Sequence, residues 1–446
     1  MMAYFWEARI AMKNFRKHFF KRDKDMYVIG YGDSIMAWQS SMVSADEGVT
    51  RVPPVCDRKG LCWYLWRNIK FGDPQYRRFD DGKNSLVGEF DNTWAGGDIP
   101  IFTETGAFKT HYYGNTNSYP IPLNSPQFTT MPTNEVCEIT SFHEIDSQRN
   151  IPKRICRDPS GSVEFIIPGG YEKFDFIYHT NAEGDDNVTV TIMEADGKVI
   201  VKNNNVDWSN GVEANGHLFS MRETHSGRED GYDSGVLQKR LYFKKNNREE
   251  VITVKIAKSR DTSKYMLYWG ISYWGTLEEP NAIHLINNAR GGHTIQKLYN
   301  TRFYDLSIWN ADLIIFQNTL LNNAGDTAED PENNYVTSLD EFIIYVQSLN
   351  IDWVTLLPHA STTLVDNSMG KYKIFWNQAK QKLISEDIPV IDIEEALYKI
   401  WETQNPNQEV SYSKFISNLM YDGSLHGNEK AYAIYGKILN PIFKIK

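Results

Sequence analysis

Residues 27–38 read Tyr27-Val28-Ile29-Gly30-Tyr31-Gly32-Asp33-Ser34-Ile35-Met36-Ala37-Trp38. The short apolar run Tyr27-Val28-Ile29 predicts a buried strand. Gly30 and Gly32 are expected to break it. Asp33 and Ser34 then stand where a helix can start, because both residues favour N-caps. A serine on a strand-to-helix turn presents its hydroxyl at the carboxyl edge of a sheet. Its backbone N–H, helped by the helix N-terminus, can face a developing oxyanion. The plain alternative is that Gly-Asp-Ser is only a helix cap.

A second block lies near the other end, YDGSLHGN over residues 421–428, with Asp422 and His426. Nucleophilic attack on an acyl carbonyl needs a hydroxyl, a base for its proton and an acid that orients the base. An acid and a histidine this close in sequence can share one loop, just before a helix predicted over EKAYAIYGKILNPIFK. Only a fold that sets its first strand beside its last helix joins Ser34 to this pair.

Two further blocks lie between. NNARGGHTIQKL carries Gly291 and Gly292 after the apolar stretch Ile283-His284-Leu285-Ile286; glycine lets a backbone approach a ligand and offer its N–H. ADLIIFQNTLLNNAGD predicts a strand from Leu313 to Phe316, then a polar loop with Asn318, Asn322 and Asn323. A side-chain amide at a strand end is a ready oxyanion donor.

In this order the four blocks resemble the SGNH (GDSL-type) hydrolases. The resemblance implies Ser34 as nucleophile, His426 as base and Asp422 as its orienter. It implies an oxyanion hole built from Gly292 and Asn322, with Asn318 as second choice. WNADLIIFQ, IDWVTLLPH and IPVIDIEEAL match the family's following strands. There are departures: Leu320 stands where the family's third block has glycine, Asn323 replaces its aspartate, and the Asp-to-His spacing is one residue longer. The implied fold is α/β, a flavodoxin-like three-layer arrangement of helices about a parallel sheet.

In the family the glycine block follows the serine block within tens of residues, whereas here about 250 residues intervene. The hydrolase parts, residues 27–48 and 281–446, together have the length of one ordinary domain. Residues 49–160 are rich in Pro, Gly, Asn and aromatics, and read equally as a ligand-facing subdomain or as long packed loops. Residues 161–280 hold SVEFIIP, KFDFIYHT, NVTVTIME, KVIVK, LYFKK, VITVKIAK and YMLYWGISYWG, separated by turn residues. That pattern predicts an antiparallel β-sandwich. The resemblance implies a jelly-roll module that contacts carbohydrate. Trp63, Trp66, Tyr76, Tyr112, Tyr113, Trp269 and Trp274 suit stacking on sugars, although core packing is the commoner use of large rings.

Residues 1–26 contain YFWEARIAMKNFRKHFFKR, apolar at helical spacing with basic residues between. This is an amphipathic arm, and it lacks the apolar core and cleavage site of a secretory signal. Packing on its own domain, docking a partner and lying on a membrane surface are the three competing readings of its use. Net charge is −10, which argues against a nucleic-acid groove, and no apolar run is long enough to span a bilayer. The four cysteines, Cys56, Cys62, Cys137 and Cys156, all precede residue 161 and default to free thiols. No metal-ligand spacing, P-loop or dinucleotide fingerprint occurs, so no cofactor or metal is expected.

The expectation is an esterase that removes small acyl groups, acetyl above all, from a polysaccharide. The family also includes bacteriophage tail modules that act on host glycan, so a virion or a cytoplasmic location is expected. Such a module would reach tail proteins through the N-terminal arm and could be a homo-oligomer. The rivals are an inactive carbohydrate-binding or structural virion protein on the same scaffold, and a lipid or thioester hydrolase.

Overall fold

The structure is a computed structural model. It describes residues 12–21, 23–37, 108–111, 128–130, 139–141, 150–152, 154–156, 162–180, 184–194, 206–207, 217–222, 237–264, 266–277, 280–281, 283–287, 293–306, 310–324, 331–359, 369–407, 409–420 and 427–443. The chain divides into two compact units. One comprises Met1–Ser85, Tyr112–Thr116 and His284–Lys446, the other Leu86–His111 and Asn117–Ile283.

The first unit is built on strands β1 (Met26–Tyr31), β2 (Ile283–Asn287), β3 (Leu313–Gln317), β4 (Asp352–Leu357) and β5 (Val390–Asp392). Within the unit they stand side by side in the order β2-β1-β3-β4-β5. The pairs β1–β3, β3–β4 and β4–β5 are parallel. All six residues of β1 and all five of β3 are buried, as expected of strands covered on both faces. Gly30 does not end β1 as the sequence suggested. It lies within the strand opposite Ile315, held by the parallel ladder.

The covering helices are α1 (Lys13–Lys21), α2 (Ser34–Ala37), α3 (Ile295–Leu306), α4 (Leu320–Ala324), α5 (Pro331–Ser348), α6 (Met369–Ser385), α7 (Ile393–Gln404), α8 (Tyr412–Ser417) and α9 (Glu429–Leu439). The strand and helix read from IPVIDIEEAL are β5 and α7. Asp392 ends the strand and caps the helix, accepting from the Glu395 N–H at 2.9 Å. Asn322 and Asn323 lie in α4, not in the polar loop expected of them. The turn is fastened by Asn323, whose Oδ1 accepts from the Thr319 hydroxyl (2.9 Å) and from the Ile295 N–H (3.1 Å).

The described part of the N-terminal arm packs on its own unit. Phe15 and Phe19 of α1 are buried and meet the Phe443 ring at 6.3 and 5.9 Å. Arg16 Nη1 donates to the Ile442 carbonyl at 2.7 Å. The Phe15 N–H donates to Asp352 Oδ2 at 2.6 Å, at the start of β4. Residues 1–11 lie outside the described residues, and Met26, the last residue of the expected arm, already belongs to β1.

The second unit contains two five-stranded sheets. One orders Val206–Asp207, Leu237–Lys245, Lys173–Thr180, Met266–Trp274 and Arg154–Cys156. The other orders His217–Phe219, Val188–Glu194, Ile252–Ala257, Ser162–Ile167 and Phe128–Thr130. The pairings are antiparallel. Ile252, Val254 and Ile256 are buried in alternation, matching the period-two pattern of their sequence. KVIVK lies outside the described residues.

Buried lysines serve the loops of this unit, Lys245 most fully. The Lys245 ammonium donates to the carbonyls of Pro168 (3.1 Å), Arg248 (2.9 Å) and Glu250 (2.5 Å). All three of its protons are thereby used.

Candidate active site

In the order β2-β1-β3-β4-β5 the chain switches direction across the sheet between β1 and β3. Ligands of such doubly wound sheets bind beyond the carboxyl ends of the strands at that switch. The Gly-Asp-Ser turn follows β1 directly. Asn318 and α4 follow β3. The sheet therefore brings the first and third sequence blocks to one place.

Glycine is required at position 32. A Cβ there would stand 2.7 Å from both the backbone carbonyl oxygen and Oε1 of Gln317, at a φ of 158°. The two strand ends are packed backbone against backbone, and any side chain would part them. Ser34 is the first residue of α2, as its sequence suggested.

Asp33 is the centre of the observed network. It is 1 % exposed. Its Oδ1 accepts from the Ile35 N–H at 2.9 Å, a bond that turns the chain from strand to helix. Its own N–H donates to Gln317 Oε1 at 3.0 Å. Its Oδ2 accepts from Asn322 Nδ2 at 3.2 Å. Burial pushes the Asp33 carboxyl up to about 7, against the opposing pull of the Ile35 and Gln317 contacts.

The structure separates the two candidate amides. Asn322 lies beside the Asp33 turn, and its amide is committed twice, to Asp33 Oδ2 and to the His293 carbonyl at 2.9 Å. His293 follows the glycine pair in sequence, so this bond also draws the second block toward the third. Asn318 is fully buried. Its N–H donates to the Leu356 carbonyl at 2.9 Å, and its Oδ1 accepts from the Tyr335 hydroxyl at 3.2 Å. Its Nδ2 has no hydrogen-bond partner among the described residues.

Gly292, Asp422 and His426 lie outside the described residues. The flanks of the last two are placed: Met420 and Gly427 form an antiparallel bridge, and the Asn428 N–H donates to the Leu419 carbonyl at 2.7 Å. The helix that follows, α9, is tied to the carboxyl end of β4, where Nδ1 of buried His359 and the Tyr435 hydroxyl share a hydrogen bond. No group of three or more potential metal-ligating side chains occurs among the described residues. No described helix is long and apolar enough to cross a membrane.

Sequence reading missed Gln317 and the buried contacts of Asp33. Gln317 carries no local signal, since its partner is 284 residues away in sequence. Asp33 could be read only as a cap.

No family model matches the chain, and no curated protein matches it in sequence. Solved structures do resemble it. A peptidoglycan O-acetylesterase is 11% identical with a TM-score of 0.39, over 96% of this chain and 93% of that one. An acetylxylan esterase from Geobacillus stearothermophilus is 14% identical with a TM-score of 0.30, over 37% of this chain and 74% of that one. A lipase/acylhydrolase from Enterococcus faecalis is 13% identical with a TM-score of 0.27, over 36% and 74%. These neighbours are acyl-ester hydrolases by name, each at low identity and low TM-score.

Proposed function

We propose that the chain is a serine ester hydrolase that removes small acyl groups, acetyl first among them, from a polysaccharide. The observation that carries this reading is the hydrogen bond from Asn322 Nδ2 to Asp33 Oδ2. It joins the turn that carries Ser34 to the amide-bearing helix after β3, at the switch point of the sheet where such folds bind ligands.

In this reading Ser34 attacks the acyl carbonyl and gives its proton to His426, while Asp422 orients the imidazole. The backbone N–H groups of Ser34 and Gly292 and the Asn322 amide receive the oxyanion. The alcohol of the sugar leaves with the proton from His426. Water, activated by the same base, releases the acid from the acyl-enzyme. The antiparallel β-sheets of the second unit supply a jelly-roll surface for carbohydrate. Action on host glycan as part of a bacteriophage tail extends the same reading.

A second reading is a glycan-binding or structural protein without turnover. One observation favours it: both protons of the Asn322 amide already have acceptors within the protein.

Labelling with a small fluorophosphonate, read by intact and peptide mass, separates the two. One adduct on Ser34, absent from Ser34→Ala and weakened by His426→Ala, is expected of the hydrolase. A folded chain without an adduct assigns the second reading, and glycan binding is then measured directly.

A further inference from the structure

Asn322 sits on a helix of five residues, too short to be stable without contacts beyond itself. Two acceptors fix its amide, the His293 carbonyl and the Asp33 carboxylate. The Asp33 side chain and backbone are each held in turn. The Ile35 N–H grips Oδ1, and the Asp33 backbone is tied to Gln317, whose Nε2 donates to the Asn318 carbonyl at 2.6 Å. Buried as it is, this carboxylate cannot exchange its partners for water.

We propose that Asp33 is a positioning residue of the site: its carboxylate holds the Asn322 side-chain amide against the turn that carries Ser34. The catalytic consequence rests on the hydrolase reading above; the positioning itself does not. The bond to His293 is the shorter of the two. It keeps the amide in place while an oxyanion competes for the proton that points to Asp33. Without the carboxylate the amide has one anchor and rotates, and the donor is no longer preorganised.

The test is a double-mutant cycle on the full chain: Asp33→Ala, Asn322→Ala and the double variant. Readouts are kcat and KM on a small acetyl ester and the rate of Ser34 labelling. The Asn322 side-chain amide is also observed by ¹⁵N-asparagine NMR, assigned by its absence from Asn322→Ala. Each single variant is expected to lose roughly 100-fold in kcat, with KM little changed. The double variant is expected to be no slower than the slower single one, because both remove the same donor. The Asn322 resonance is expected to move in Asp33→Ala.

Losses that multiply in the double variant, or an Asn322 resonance unmoved by Asp33→Ala, overturn the proposal. If the wild-type chain neither labels nor turns over, the hydrolase reading falls, and the NMR comparison still decides whether Asp33 holds Asn322. If Asp33→Ala does not fold, Asp33→Asn takes its place. Its carbonyl keeps the Ile35 bond, and its amide turns a donor toward Asn322.

Discussion

Asp352, on the first residue of β4, caps a helix that lies 337 residues earlier in the chain by accepting from the Phe15 N–H. Nothing in the sequence around α1 supplies that cap: Met12 and Lys13 offer no acceptor side chain. Loss of an N-cap costs about 1 kcal/mol, so Asp352→Ala is expected to lower the melting temperature by a few degrees. Phe15→Ala, which empties the contact with Phe443, is expected to cost more, about 3–5 kcal/mol. If the two variants melt alike, the cap rather than the packing holds the helix.

Gly32→Ala is expected to fail where most glycine substitutions on a surface turn succeed. The added methyl would meet the Gln317 main chain as well as its side chain, so Gln317→Ala should not rescue it. Overpacking of this kind costs about 1–3 kcal/mol or more. Thermal melts of the single and double variants check this. Rescue by Gln317→Ala would place the clash on the side chain alone.

Stability should fall as pH rises through the window set by Asp33. Its folded value of about 7 lies above its ordinary value of 3.8. The folded chain therefore binds a proton that the unfolded chain has released. The contribution is fully present below about 4 and is lost by the time pH passes the folded value. Comparison of urea midpoints at pH 5 and pH 8 measures it, against Asp33→Asn, in which this slope should disappear. The difference expected is on the order of 1–4 kcal/mol. An unchanged slope in the variant would show that the group titrates normally.

In the second unit, Lys245→Met is expected to destabilise by about 1–3 kcal/mol, because it leaves three carbonyls that the ammonium had satisfied. The Met stem replaces the packing, so the loss reports the hydrogen bonds. A melt in which the variant matches wild type would mean that water reaches those carbonyls.

The parallel strands were readable because each is a short, nearly continuous apolar run: Leu313–Gln317 and Asp352–Leu357 lie where LIIF and WVTLL suggested. The antiparallel strands were readable from alternation, as in Ile252–Ala257. Gly30 misled because a glycine inside a run reads as a break, and only pairing with Ile315 shows the strand passing through it. The asparagine run misled for the opposite reason. Its residues are poor helix formers by propensity, and α4 is fixed by long-range partners, Ile295 and Asp33, that no local window contains. Around Asp33, the motifs marked the turn that carries Ser34 and the segment that carries Asn322. They could not show how an amide already bonded twice would serve a substrate, because its acceptors come from elements hundreds of residues apart.

The second unit interrupts the first between β1 and the strand that pairs with it, so Tyr27 and Asp312 make contact across 285 residues. On a ribosome adding about 5–20 residues per second, β1 waits roughly 13–50 s for its first neighbour, β2, to be synthesised. During that interval a strand destined for complete burial stands unpaired and apolar, the state most prone to chaperone capture and aggregation. The β-rich unit is complete before β3 appears, so it can fold while the parallel sheet is still unfinished. Yield of the intact chain should thus depend on the pace of translation and on chaperone supply more than on the final stability of either unit.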